Sequence, residues 1–172
     1  MRKQLIGAAL IASASLTLLA ASPVTKGAKA GEWTMDFDAA KTLAREKNLP
    51  ILINFTGSDW CGWCKLMDKL VFSKPEWSAY ATNSLVLVFI DFPRDKTLVP
   101  MHFVSRNEAL SRQFGVEGYP TYILLATDGA TRLGQLGASR NATPEAFIAD
   151  IRKLTDKAPA AQAPAPAPAA PM

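Results

Sequence analysis

The chain is poor in the residues that most often announce chemistry. It has two cysteines and one histidine, His102, in 172 residues. A zinc knuckle needs about four ligands, so this set suffices only if carboxylates complete it. A purely structural disulfide is also a weak reading, because closing a two-residue loop removes little chain entropy. An excess of one charge is missing too. The formal charge of +4 arises from Arg2, Lys3, Lys26 and Lys29, in an N-terminal stretch without acids. The remaining fifteen Lys and Arg meet fifteen Asp and Glu. That balance gives no electrostatic case for nucleic acid or a membrane surface. No repeat of domain size is present.

The two ends read as segments outside the fold. Arg2 and Lys3 precede an apolar run from Leu5 to Ala21, and Ala28-Lys29-Ala30 supplies small residues before Gly31. The run is short for a membrane span and diluted by Ser13, Ser15 and Thr17, so residues 1–30 read as a signal peptide. A cut after Ser22 would put Pro23 directly after the broken bond, which favours the cut after Ala30. The expectation is an exported protein, periplasmic or secreted, with no stable membrane insertion after cleavage. Residues 158–172 are Ala-Pro repeats that bury nothing and should be extended and disordered. One domain, residues 31–157, lies between them.

Within that domain, Trp33–Phe37 reads as a short edge strand. Helical spacing of Phe37, Ala40, Leu43 and Ala44 predicts a helix capped by Asp36 or Asp38 and ending near Asn48. Ile51–Phe55 is apolar on both faces, as a doubly covered strand requires. A helical pattern follows from Lys65 to Phe72, with Leu66, Leu70 and Val71 as core positions. Ser73–Asn83 forms a short helix opened by Pro75. Leu85–Phe92 is a second buried strand. Pro93–Asn107 reads as irregular, either a substrate-recognition flap or a solvated insertion. Glu108–Phe114 is a short helix and Pro120–Ala126 a third strand. Asp128-Gly129 turns that strand into Thr131–Leu136. Thr143-Pro144-Glu145 opens a last helix, with Ala146, Phe147, Ile151 and Leu154 inward. The fold class is α/β, with a mixed central sheet and helices on both faces.

Both cysteines stand where the first buried strand gives way to its helix, as Cys61-Gly62-Trp63-Cys64. A helix start offers partial positive charge and free N–H groups, which favour thiolate over thiol. The thiolate is the form that attacks disulfides. A C-x-x-C pair at a strand–helix junction therefore points to dithiol–disulfide exchange.

Taken with this element order, Phe55-Thr56-Gly57-Ser58-Asp59-Trp60-Cys61-Gly62-Trp63-Cys64-Lys65 and Gly118-Tyr119-Pro120-Thr121 resemble the thioredoxin superfamily. The match runs from about Trp33 to Thr155 and looks most like exported bacterial thioredoxin-like proteins. The resemblance implies a thioredoxin-like fold. It implies that Cys61 is the exposed nucleophile, Cys64 the buried resolving thiol, and Trp60 the flanking aromatic. It also implies a cis Tyr119–Pro120 bond facing the cysteines, with the Tyr119 backbone free to pair with substrate; the residues alone leave a trans edge-strand proline open. Trp60 serves either substrate contact or the core. Trp63 should be exposed beside the nucleophile. His102, on the irregular stretch, is not taken as catalytic.

Thioredoxin carries a buried aspartate on the strand before its motif, where this chain has Asn54. An amide does not titrate, which leaves Asp59, Asp68 or water as proton acceptors. Gly62 and Trp63 supply no histidine to stabilise the Cys61 thiolate strongly. A reductase or isomerase is therefore expected, fed by a membrane electron donor and acting on protein or peptide thiols and disulfides. No metal or organic cofactor is expected. The competing class is a thioredoxin-fold binding module, a chaperone or cytochrome-assembly factor with accessory cysteines.

Overall fold

In the computed structural model, which describes residues 22–157, the apolar run at Ile51 forms strand β2 (Ile51–Thr56), and each of its residues is buried. Such a strand needs a partner on both edges and cover on both faces. β3 (Val86–Asp91) pairs in parallel along one edge, from Ile51 opposite Val86 to Thr56 opposite Asp91. β4 (Thr121–Leu125) pairs antiparallel along the other, from Ile51 opposite Leu125 to Phe55 opposite Thr121. β1 (Trp33–Thr34) adds outside β3 and β5 (Arg132–Leu136) outside β4, giving the order β1-β3-β2-β4-β5.

Alternate side chains along the strands sort the core into two layers. Ile53, Phe55, Val88 and Ile123 meet helix α1 (Phe37–Lys47) and helix α4 (Met101–Gln113) through Ala40, Ala44 and Leu110. Leu52, Leu87, Tyr122 and Leu124 meet the opposite layer. That layer holds α2 (Gly62–Met67), a π-helical segment (Asp68–Phe72), α3 (Pro75–Ser84) and α5 (Pro144–Asp156). Its centre is aromatic: Phe72 lies 5.1 to 5.5 Å from the rings of Trp77, Tyr122 and Phe147.

The capping residues behave as their chemistry dictates. Asp36 accepts from Ala39 N at 3.0 Å to start α1, and Asn48 closes it with φ 53°. Thr143 accepts from Ala146 N at 3.2 Å above Pro144 in the first turn of α5. Gly129, at φ 70°, makes the β4–β5 turn.

Three expectations need correction. Pro93–Asn107 is not irregular: it holds a 3-10 turn (Lys96–Leu98), and α4 begins at Met101 rather than Glu108. His102 is thus a helical residue. The first turns of α4 hide no apolar stripe, with Met101 89% exposed and Val104 40%. They are held instead by polar bonds: Arg106 donates to Met35 O at 2.6 Å, and Asn107 Nδ2 donates to Asp91 O at 3.2 Å. Pro100 sits at the N-cap, where its missing N–H costs nothing. Second, Ala146 is exposed, because it belongs to the first turn whose N–H groups face the cap. Third, the cysteine helix widens into π turns at Asp68, so Met67 and Val71 are fully buried while Leu66 is only half-buried.

The apolar run from Leu5 to Ala21 and the Ala-Pro tail from Ala158 lie outside the described residues. Among the described residues, no helix is long and apolar enough to cross a membrane. Residues 23–30 are tied to the sheet. Val24 N donates to Trp33 O (3.0 Å) and Met35 N to Val24 O (2.8 Å). Thr34 Oγ1 donates to Gly27 O (2.6 Å), Gly27 N donates to Asp36 Oδ2 (3.0 Å), and Ala28 packs on the core.

Two predictions arise here. A chain starting at Gly31 should be less stable than one starting at Pro23, by about 2–4 kcal/mol at roughly 1 kcal/mol per lost hydrogen bond. Equal urea midpoints for the two chains would refute this. The second concerns Tyr122, whose hydroxyl is buried and makes no hydrogen bond within the protein. Tyr122→Phe should leave stability unchanged or raise it by up to about 1 kcal/mol; a loss larger than that in chemical denaturation would contradict the assignment.

Candidate active site

The chain turns back directly after β2. Trp60 N and Cys61 N both donate to Gly57 O, at 3.2 and 2.8 Å. Glycine is needed at 57 by contact, since a Cβ there would stand 2.4 Å from the Trp60 ring. Cys61 is the N-cap of α2, extended at φ −78° and ψ 107°, and its Sγ accepts from Cys64 N at 3.1 Å. The two sulfurs are bonded, with S–S 2.11 Å and Cα–Cα 5.2 Å. One helical turn thus holds both sulfurs at bonding distance and turns the Cys64 N–H toward Cys61 Sγ.

The expected contrast in exposure is absent. Cys61 is 5% exposed and Cys64 8%. In the disulfide each sulfur shields the other, so accessibility does not separate the two. Position does: Cys61 caps the helix, whereas Cys64 lies inside it.

The other expected site residues divide into two groups. Trp60 is 39% exposed; its Nε1 donates to Phe92 O at 2.9 Å and its ring meets Tyr119 edge-on at 5.8 Å. Tyr119 stacks on Phe92 at 5.3 Å. The Tyr119–Pro120 bond is cis. Pro120 lies one residue beyond the Phe55–Thr121 pair, hence at the end of β2 that leads to the cysteines. Trp63 belongs to neither contact. It is 42% exposed on the first turn of α2, with the Arg140 guanidinium 5.4 Å from its ring.

A polar clasp joins the turn before Cys61 to the end of β3. Ser58 donates from N and Oγ to the Asp91 carboxylate, at 2.9 and 2.5 Å. Asp59 accepts from Arg94 N at 3.0 Å and Asp95 N at 2.9 Å. The Asp95 N–H is the main reason the Asp59 carboxyl sits below its ordinary pKa. Burial pushes Asp91 above the ordinary value of 3.8, against the lowering pull of the Ser58 bonds. Sequence reading missed Asp91 and Ser58. The signal was an acid inside the otherwise apolar run Leu85–Phe92.

Asn54 is buried beside this site. Its Oδ1 makes no hydrogen bond within the protein, and it lines a cavity of about 550 Å³ together with Thr56, Cys64 and Asp68. Among the described residues, no group of three or more His, Cys, Asp or Glu is arranged to hold a metal ion.

A five-stranded mixed sheet that ends its central strand in a Cys-x-x-Cys helix cap, with a cis proline on the neighbouring strand, defines a thioredoxin-fold dithiol domain. Comparison with known proteins agrees. The thioredoxin-like family model matches residues 32–127, and the chain belongs to that family. It is 32% identical over 94 residues to the disulfide bond reductase DsbH of Chlamydia pneumoniae, covering 55% of each chain. It is 30% identical over 132 residues to the thioredoxin-related protein DsbJ of the same organism, covering 76% of this chain and 37% of that one. The chain therefore spans about half or less of the length of these relatives. A solved DsbH oxidoreductase superposes with TM-score 0.67 at 23% identity, over 89% of this chain and 96% of that one. A thioredoxin from Thermus thermophilus gives 0.54 at 22%, over 72% and 85%. At such identities these superpositions establish the fold.

The clasp yields a pH prediction. The folded pKa of Asp91 is raised, so the folded state holds this proton more tightly than the unfolded chain. Its contribution is complete below the ordinary carboxylate range and is lost as pH rises through the folded pKa. Asp91→Asn lacks that loss. From about pH 3.5 to neutrality, Asp91→Asn should gain stability relative to the parent in urea titrations. The reverse trend would show that the carboxylate form is the one the fold favours. Asp91→Ala, which strands the Ser58 donors, should lose about 1–3 kcal/mol.

Proposed function

We propose that this protein is a thiol–disulfide oxidoreductase acting on other polypeptides, with Cys61 as nucleophile and Cys64 as resolving thiol. The observation that carries the reading is Cys61 at a helix cap, its Sγ facing a backbone N–H and within bonding reach of Cys64. In the reduced protein the Cys61 thiolate attacks one sulfur of a substrate disulfide. That bond breaks, a Cys61–substrate mixed disulfide forms, and the first substrate thiolate leaves and takes a proton. Cys64 gives up its proton and attacks Cys61 Sγ. The Cys61–Cys64 bond forms, and the second substrate thiolate departs. Two electrons have passed from the protein to its substrate.

Trp60, Trp63 and Tyr119 flank the approach to Cys61, and the backbone at Tyr119–Pro120 offers an edge for a substrate strand. Gly62 and Trp63 place no positive side chain between the cysteines, which favours a reductase or isomerase over a strong oxidant. The name of the Chlamydia pneumoniae relative, a disulfide bond reductase, supports this direction. The basic start and apolar run within residues 1–30 support export, periplasmic or secreted, and a membrane electron donor is the proposed source of reducing equivalents.

Dithiol-driven reduction of insulin tests the reading. Cys61→Ser should reduce the rate to background, and Cys64→Ser should accumulate a mixed disulfide with substrate. Equilibration with glutathione should give a potential of about −270 to −180 mV. Full activity in Cys61→Ser would assign the domain to binding, with accessory cysteines. A potential near that of the strong oxidant, about −120 mV, would reverse the direction of electron flow.

A further inference from the structure

The surface around Cys61 carries two exposed tryptophans, each with an arginine over its ring. The Arg94 guanidinium lies 5.7 Å from the Trp60 ring and that of Arg140 lies 5.4 Å from Trp63. Lys65, on α2, and Lys96, on the 3-10 turn, donate from Nζ to Asp59 O at 2.7 Å and to Pro93 O at 2.8 Å. The ion pairs among the described residues are Lys29–Glu32, Lys41–Asp38 and Lys153–Asp150. Neither Arg94 nor Arg140 takes part in one.

The acids of these loops accept hydrogen bonds from the protein itself, although Asp95 is exposed and Asp59 half-exposed. Asp59 accepts from two backbone N–H groups, Asp95 accepts from Thr97 N and Oγ1, and Asp91 is buried against Ser58. Asp59, Asp95 and exposed Glu117 bring carboxylates to this face, but among the described residues none of them forms an ion pair with Arg94 or Arg140. A guanidinium lying on an aromatic ring keeps its N–H edge free, and that edge matches a carboxylate through two parallel hydrogen bonds. The rings supply flat apolar contact for the chain that carries such a carboxylate.

Resting on the exchange reading above, we propose that this face selects polypeptide disulfides flanked by acidic residues, with Arg94 and Arg140 as the groups that receive the substrate carboxylates.

The test uses the full chain, prereduced and mixed in single turnover with three probes. Two are peptides with the same disulfide, flanked in one by Asp and Glu and in the other by Lys. The third is hydroxyethyl disulfide, which is neutral. The acidic peptide should react about tenfold faster than the basic one at low ionic strength, a modest steering effect. The ratio should approach one at about 0.5 M NaCl, where screening acts within a few ångströms. In Arg94→Gln/Arg140→Gln the low-salt ratio should fall toward one. Hydroxyethyl disulfide left unreduced would refute the exchange reading, and this inference with it. Reduction of hydroxyethyl disulfide, with equal rates for the two peptides or a faster basic one, would overturn the charge selection alone. A tenfold ratio that survives both arginine replacements would overturn the assignment to Arg94 and Arg140.

Discussion

Strand β2 is covered on both faces and paired on both edges, and the geometry of the cysteines depends on that. Ile51, Leu52, Ile53 and Phe55 are all fully buried. At about 1.5–3 kcal/mol for each such side chain, they contribute roughly 6–12 kcal/mol before chain entropy is subtracted. That is comparable with the net stability of a whole domain. A one-residue slip would exchange the two faces of the strand and strand its neighbours on β3 and β4. The register is therefore fixed, and the end of β2 is a rigid platform. Cys61 stands only five residues beyond Thr56, too few for the loop to wander.

Apolar burial fixes the strand, but polar bonds fix the loop. Between Thr56 and Cys61 the chain offers little to bury, and its placement comes from donors and acceptors shared with the end of β3. Phe92 N donates to Thr56 O at 2.9 Å, continuing the ladder one residue past the strands. Ser58, Asp59 and Trp60 then each reach across to residues 91–95. The cost of burying the Asp91 carboxyl is offset in part by the two Ser58 donors, and the Asn107 amide ties α4 to the backbone of the same residue. One aspartate thereby joins the cysteine loop, the central sheet and the helix that follows.

The order of strands, the hairpin at Asp128–Gly129 and the helix that presents the cysteines were legible because each leaves a strong local mark. Doubly apolar runs mark buried strands, an Asp-Gly pair marks a tight turn, and capping residues mark helix starts. The first half of α4 left no such mark. Its stability comes from Arg106 and Asn107 reaching Met35 and Asp91, contacts far apart in sequence that no periodicity reveals. The π turns after Met67 are likewise set by how Phe72 fits among Trp77, Tyr122 and Phe147. Within the site, the cysteines and Pro120 were legible from motif and spacing. The Asp91–Ser58 bond was not, because it spans two strands. The near-equal burial of Cys61 and Cys64 follows from their covalent pairing, which a sequence does not express.

Asn54 and Asp91 together determine where pH acts on this site. Asn54 faces the cavity that Cys64 lines, and an amide keeps its charge at zero throughout the titration of carboxylates and thiols. β2 therefore supplies no pH-dependent field beside the resolving cysteine. The buried ionisable group lies one strand away, on β3, and its partner is Ser58, three residues before Cys61. Ser58 N and Oγ both donate to the Asp91 carboxyl group, and Ser58 belongs to the turn that leads to Trp60 and the helix cap. The group whose pKa is raised thus touches the Cys61 loop, through Ser58, rather than Cys64. The buried acid of this chain therefore stands on β3 beside the cysteine loop, and the β2 position that shares a cavity with Cys64 carries an amide.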